Sequence, residues 1–320
     1  MTKNKNLVIL TGPTAVGKTK LSIELAKRIG GEIISADSMQ VYKHMDIGSA
    51  KIMPEEMDGV VHHMIDVLDP REDFDVYRFQ QMAKAKIQEI YDRGHIPVIV
   101  GGTGFYIQAL LYDIDFTQSE EDESLRGQLE ELADEIGAHA LHEMLREVDP
   151  EAADEIHENN VKRVIRAIEY HRQTGEKISA HNKEQREKQS PYNFCYFVLN
   201  DDRAKLYERI DQRVDLMLKA GLVEEVKKLL SMGCKRESTA MQGLGYKEII
   251  DYLQGAIDLE RAIYLIKRDT RHFAKRQITW FKREADVVWV QRDVLGQEDS
   301  KLLDYMLMEL KKRNIPEEEV

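Results

Sequence analysis

Gly12-Pro13-Thr14-Ala15-Val16-Gly17-Lys18-Thr19 fits the pattern G-x-x-x-x-G-K-[ST], set between a short apolar run, Leu7–Leu10, and a segment of helical periodicity, Lys18–Ile29. The chemistry this spacing allows is phosphate binding. Glycines let successive backbone N–H groups point inward, the start of the following helix adds positive dipole, Lys18 adds a full charge, and Thr19 offers a hydroxyl to Mg²⁺. The pattern implies a diphosphate or a triphosphate without saying which. Asp37, in Ile34-Ser35-Ala36-Asp37-Ser38-Met39-Gln40-Val41-Tyr42, is the second residue with chemistry to offer. At the carboxyl end of a strand in a doubly wound sheet it would lie beside the phosphate loop, where such folds bind substrates. A carboxylate there suits a general base, although aspartate in that position also caps turns.

An NTPase would add a Mg²⁺-organising aspartate at the end of a neighbouring apolar strand. The best candidate strand, Ile96–Val100, runs instead into Gly101-Gly102-Thr103-Gly104. That argues against an ATPase or motor and leaves a small-molecule kinase open. His62-His63 would alternate faces on a strand and cannot easily share one ion, so they read as structural or pocket-lining residues. Cys195 and Cys234 are far apart, with no metal-binding spacing, and suit a reducing compartment.

The elements that must position these residues follow from periodicity. Glu32–Ser35 reads as a second strand. Asp75–Arg93, with Val76, Phe79, Met82, Ala83, Ile87 and Ile90 at three-to-four spacing, reads as an amphipathic helix closed by Gly94, and Ile96–Val100 as a buried strand. Strands return at Cys195–Leu199 and Val287–Val290, separated by helices. Strands alternating with helices imply an α/β fold, a P-loop NTPase-like parallel sheet core. The rhythm breaks near Thr117: as far as Ser190 the pattern is helical and highly charged, with Tyr170 its only aromatic residue. Residues 1–116 and 191–313 are therefore expected to form the core, 117–190 an inserted helical domain, and 314–320 a frayed tail.

At 320 residues, 42% hydrophobic and 32% charged, the chain can bury a sizeable core. No apolar run is long enough for a membrane span and no signal-peptide pattern opens the sequence, so a cytoplasmic protein is expected, as a monomer. The net charge of −12 argues at first against a nucleic-acid partner, but the charge is uneven. Residues 118–158 carry fifteen acids against Arg126 and Arg146, whereas 261–283 carry eight bases against Asp269 alone. Local positive potential is what a phosphate backbone needs.

Taken in order, the phosphate loop, Ser35–Tyr42, Asp46-Ile47-Gly48-Ser49-Ala50-Lys51, His62-His63, Gly101–Tyr106 and Lys275-Arg276-Gln277-Ile278-Thr279-Trp280 resemble the tRNA dimethylallyltransferases, also called isopentenyl-tRNA transferases. The likeness runs from about Asn6 to Val290. The zinc finger of eukaryotic members has no counterpart here, so the resemblance is to a bacterial enzyme. It implies transfer of a dimethylallyl group from dimethylallyl diphosphate to N6 of the adenine immediately 3′ of the anticodon, in tRNAs reading codons that begin with U. Gly12 through Thr19 would hold the diphosphate with Mg²⁺ on Thr19. Asp37 would be the base, with Thr103 and Arg213 also catalytic and Arg213 on the diphosphate. Contacts to tRNA are implied for Asp37, Ser38, Met39, Gln40, Thr103 and Arg126, for Lys162-Arg163-Val164-Ile165-Arg166, for Gly245-Tyr246-Lys247, and for Lys275, Arg276 and Gln277. The family commonly has Gln where Lys162 stands. Independently of the resemblance, Val161, Val164, Ile165 and Ile168 form an apolar helix face, and Lys162, Arg163 and Arg166 lie largely opposite it.

The chemistry fits these roles. An adenine amine is a poor nucleophile, so attack on an allylic carbon needs a base for its proton and strong stabilisation of the leaving diphosphate. Two alternatives remain at this level: a related transferase acting on a free adenine nucleotide, and an ATP-dependent small-molecule kinase or nucleotide switch. The insertion and its basic helix weigh against the first and the missing strand-end aspartate against the second.

Overall fold

The computed structural model describes residues 5–116 and 123–317. The chain divides into two compact units, one formed by 1–110 and 192–320, the other by 111–191.

The first unit is built on six parallel strands: β1 (Asn6–Thr11), β2 (Gly31–Ala36), β3 (His62–His63), β4 (Ile96–Gly101), β5 (Asn193–Asn200) and β6 (Val287–Gln291). Their order across the sheet is β3-β2-β4-β1-β5-β6. Leu7, Val8, Ile9 and Leu10 are all buried, as expected for a central strand covered on both faces, and this is why β1 reads as an unbroken apolar run. Helix Lys18–Arg28 follows β1, and helix Val76–Asp92 precedes β4. The latter starts where Asp75 accepts a bond from the Arg78 N–H and buries Phe79, Ala83, Ile87 and Ile90 on one face. From β1 the chain passes to β2, beyond β4; from β4 it returns to β5, beyond β1. Adjacent strands β1 and β4 thus send their connections opposite ways, the topological switch point at which α/β sheets bind ligands.

The second unit is helical, with no strand among its described residues: Glu123–Val148, kinked at Gly137, then Pro150–Glu155, Val161–Thr174 and Ile178–Glu187. Leu129, Leu141, Leu145, Val164, Ile165 and Ile168 close its core. The contact boundary falls at Leu111, earlier than the change of pattern at Thr117. The tail expected to fray from Asn314 is packed at its start. Ile315 is buried in the core of the first unit and Arg28 pairs with Glu317, because an apolar side chain three residues past the last helix can fold back onto it. Residues 318–320 lie outside the described set.

Candidate active site

The phosphate loop leaves β1 at the switch point. Gly12 has φ 147°, and a Cβ there would stand 2.2 Å from the Leu199 carbonyl oxygen, so no side chain fits. Gly17, at φ 95°, turns the chain into helix Lys18–Arg28, and Lys18 Nζ donates to the carbonyls of Gly12 and Pro13 at 2.9 Å each. Burial and the nearby Arg213 guanidinium bring the Lys18 ammonium down to about 8, with Asp37 opposing them. Arg213, on helix Arg203–Lys219, is also lowered by burial and supported by Asp37. Lys18, Asp37 and Arg213 therefore lie within electrostatic reach of one another, although they come from three separate elements. Thr19 presents an exposed hydroxyl on the first helical turn. It also borders a cavity of about 30 Å³ lined by Ser22, Ser35, Gln40 and His62.

Asp37 sits where β2 ends. Its Oδ1 accepts the backbone N–H groups of Met39 (2.8 Å) and Gln40 (3.3 Å), so the turn-capping role open to an aspartate here is filled. The same bonds fix the carboxyl group and leave Oδ2 for other work. β4 ends against β2: a Cβ on Gly101 would lie 2.2 Å from the Ala36 carbonyl oxygen, and the Thr103 N–H donates to that oxygen at 3.3 Å. Glycine at 101 thus lets Thr103 come alongside Asp37. The base expected from sequence, the threonine of the glycine-rich turn and the phosphate loop meet at the carboxyl ends of β2, β4 and β1, within electrostatic reach of Arg213.

Gln277, expected among the tRNA contacts, points inward. It is buried, its Oε1 accepts the Thr14 N–H at 2.9 Å, and its Nε2 donates to the Gly102 carbonyl at 2.9 Å. It braces the phosphate loop against the turn after β4. Gly245 and Tyr246 are likewise buried, Tyr246 completely, and Val164 and Ile165 belong to the core of the helical unit. In this structure these four residues face the protein interior. Lys247 is half-buried beside Glu248. Lys275 and Arg276 are exposed. With His272, Thr279, Trp280 and Arg283 they line a basic groove of about 490 Å³ along helix Leu259–Phe281. In the helical unit Lys162 and Arg163 are exposed, whereas Arg126 and Arg166 both donate to Glu169 Oε2, at 3.1 and 3.0 Å. Ser38, Met39 and Gln40 are half-buried in the turn that Asp37 caps.

Two residues of the site were not singled out by sequence. Arg292, at the end of β6, is buried; its Nε donates to the Val16 carbonyl at 3.1 Å and its Nη2 to Asp299 at 2.8 Å, which supports the phosphate loop from behind. Glu225 accepts three consecutive backbone N–H groups, those of Asp46, Ile47 and Gly48. Neither has a local signal, since each acts on a loop far away in the chain.

Fold and site together define a P-loop-like α/β protein in which a phosphate cradle faces a fixed carboxylate. The family model described as IPP transferase matches residues 40–284. Among curated relatives, the tRNA dimethylallyltransferase of Lachnoclostridium phytofermentans is 60% identical over 309 residues, covering 97% of this chain and 98% of that one. The enzyme of the same name from Carboxydothermus hydrogenoformans is 54% identical over 89% of this chain and 92% of its own length. Among solved structures, the full-length tRNA isopentenylpyrophosphate transferase of Bacillus halodurans superposes with a TM-score of 0.73 at 45% identity, covering 97% and 98% of the two chains. A eukaryotic dimethylallyltransferase acting on tRNA reaches a TM-score of 0.83 at 30% identity, over 98% of this chain and 81% of that one. The chain belongs to the IPP transferase family, the tRNA dimethylallyltransferases. Among the described residues no helix is long and apolar enough to cross a membrane.

Proposed function

We propose that the protein transfers the dimethylallyl group of dimethylallyl diphosphate to N6 of the adenine immediately 3′ of the anticodon, in tRNAs reading codons that begin with U, and that it does so in the cytoplasm. The observation that carries the reading is the convergence of phosphate loop, Asp37, Thr103 and Arg213 at the carboxyl end of one sheet. The loop amides, Lys18 and Arg213 would hold the diphosphate and take up the charge that develops as the allylic C–O bond breaks. The N6 lone pair forms the new C–N bond, and the proton it sheds passes to Asp37 Oδ2, whose partner oxygen is tied to the Met39 and Gln40 amides. The target base must leave its stack to reach a donor held at the strand ends. The exposed Lys275 and Arg276, and separately Lys162 and Arg163, are cations suited to its flanking phosphates.

Mg²⁺ belongs to this reading as the companion of the diphosphate. The Thr19 hydroxyl is the oxygen the loop offers it. Among the described residues no group of three or more His, Cys, Asp or Glu is arranged to hold a metal ion, which fits an ion carried chiefly by diphosphate oxygens. When bound, it would supply further charge neutralisation to the leaving group.

Incubation with labelled dimethylallyl diphosphate and Mg²⁺, with either tRNA or AMP as acceptor, tests the proposal. Label should enter tRNA alone. Label in AMP would make the protein a nucleotide prenyltransferase, and tRNA-stimulated phosphate release from ATP would restore an NTPase.

A further inference from the structure

We propose that Glu225, together with Tyr246, is a positioning residue that sets the place of Asp37 by clamping the loop that follows it. The inference rests on Asp37 being the base of the transfer. Glu225 lies in the first turn of helix Leu222–Ser231 and is buried. Its Oε2 accepts the N–H groups of Asp46 at 2.9 Å and Ile47 at 2.8 Å, and its Oε1 accepts that of Gly48 at 3.0 Å. Oε1 also accepts the Tyr246 hydroxyl at 2.8 Å. Four donors on one buried carboxylate are enough to hold it immobile, because each bond strengthens where water is excluded.

A continuous set of bonds leads from this clamp to Asp37. The loop next to the pinned amides carries the carbonyls of Ser49 and Ala50, which accept Gln40 Nε2 at 3.5 and 3.4 Å. Gln40 Oε1 accepts the Ser35 hydroxyl at 3.2 Å, and the Gln40 backbone N–H is one of the two that hold Asp37 Oδ1. Packing follows the same path. A Cβ on Gly48 would come within 2.5 Å of the Tyr246 ring, and one on Gly243 within 2.8 Å of Met39 Sδ, so both glycines are required for the ring and the loop to close together. From below, the buried Lys51 ammonium donates to the Tyr42 carbonyl and to Asp46 and Asp66, pinning the far end of the loop. The Gly-Tyr pair therefore has its role inside the protein. It completes a brace whose other end is the base.

A carboxylate that accepts from three amides cannot be replaced by a carboxamide, whose NH₂ would meet one of those N–H groups head on. Glu225→Gln should therefore release the loop. A displacement of about 1 Å at a reacting group costs up to roughly a hundredfold in rate. The variant should lose about 10- to 100-fold in kcat for prenyl transfer to tRNA, with the affinity for Mg²⁺-pyrophosphate, which reads the phosphate loop and Arg213, within about twofold of the parent. Amide exchange confined to residues 37–51 should rise, and this readout needs no substrate. Tyr246→Phe, a milder change that keeps the ring, should move each quantity in the same direction by less. In an Asp37→Ala background Glu225→Gln should have no further effect on kcat, since two changes acting through one group are not additive. An unchanged kcat in a folded Glu225→Gln variant, an additive loss on top of Asp37→Ala, or exchange spread over the whole first unit would each overturn the proposal. Failure of the parent protein to prenylate tRNA would instead refute the reading of the reaction, and the exchange measurement would still decide whether the clamp exists.

Discussion

Replacing Gln277 by leucine separates two roles for that residue. Its side-chain amide joins the Thr14 N–H to the Gly102 carbonyl, both at 2.9 Å, in a buried position. Leucine has similar bulk but leaves both backbone groups without their partner. At about 1–3 kcal/mol for each buried polar group orphaned, partly relieved by water near the half-exposed Thr14, unfolding free energy should fall by about 2–4 kcal/mol. The same bonds hold the phosphate loop in place at Thr14, so their loss should weaken Mg²⁺-pyrophosphate binding by about tenfold, the equivalent of about 1.4 kcal/mol. Glu at the same position should bind still more weakly, because it turns a donor into an acceptor opposite the Gly102 carbonyl and adds negative charge beside the cradle. Isothermal titration with pyrophosphate and filter binding with tRNA, on the same preparations, decide the matter. If Gln277→Leu binds pyrophosphate normally but loses tRNA, Gln277 is a tRNA contact and its brace role is refuted.

Asp37→Ala should lower turnover by about 10²–10⁴-fold, as loss of a general base does, with tRNA affinity changed far less; single-turnover kinetics with bound tRNA read this directly. Burial raises the Glu284 carboxyl to about 7, with Trp280 opposing the rise. The folded chain therefore keeps a proton there that the unfolded chain releases near 4.5, and this group withdraws stability as pH rises from about 4.5 to 7. Thermal melts of Glu284→Gln should match the parent at pH 4 and exceed it by a growing margin up to pH 7 and no further; an equal margin at both ends would contradict the assignment. Arg163→Ala removes an exposed cation with no packing role, and should flatten the slope of log tRNA affinity against log salt by about one unit while leaving pyrophosphate binding unchanged.

The sheet was legible because its strands are buried on both faces and so read as unbroken apolar runs; Leu7–Leu10 and Ile96–Val100 fall inside β1 and β4. β3, two residues long at the sheet edge, is too short to carry a period. Asp37 was recognisable from its place after β2, and the structure adds that turn capping occupies only Oδ1, leaving Oδ2 for the base role proposed above. Among the residues for which the family resemblance implies tRNA contact, some are buried and others exposed. Gln277 shares a helix face with Ala274 and Phe281, a phase the sequence displays, and its inward direction could have been inferred from it. Val164 and Ile165 belong to an apolar stripe that was visible beside the basic one. Arg292 and Glu225 were not accessible to any local rule, because each is brought to its loop only by tertiary folding, across 276 residues in the case of Arg292 and Val16.

The central claim is that a prenyl group is placed on one particular nitrogen by a protein whose base is Asp37. Unmodified tRNA treated with dimethylallyl diphosphate, Mg²⁺ and the protein can be digested to nucleosides and to anticodon-loop fragments, and both analysed by mass spectrometry. The account predicts a single new nucleoside, adenosine carrying one dimethylallyl group on N6, confined to the position 3′ of the anticodon and absent when Asp37→Ala replaces the parent protein over the same time. A product on another base, on several adenines of the loop, or formed at the parent rate by Asp37→Ala would contradict it.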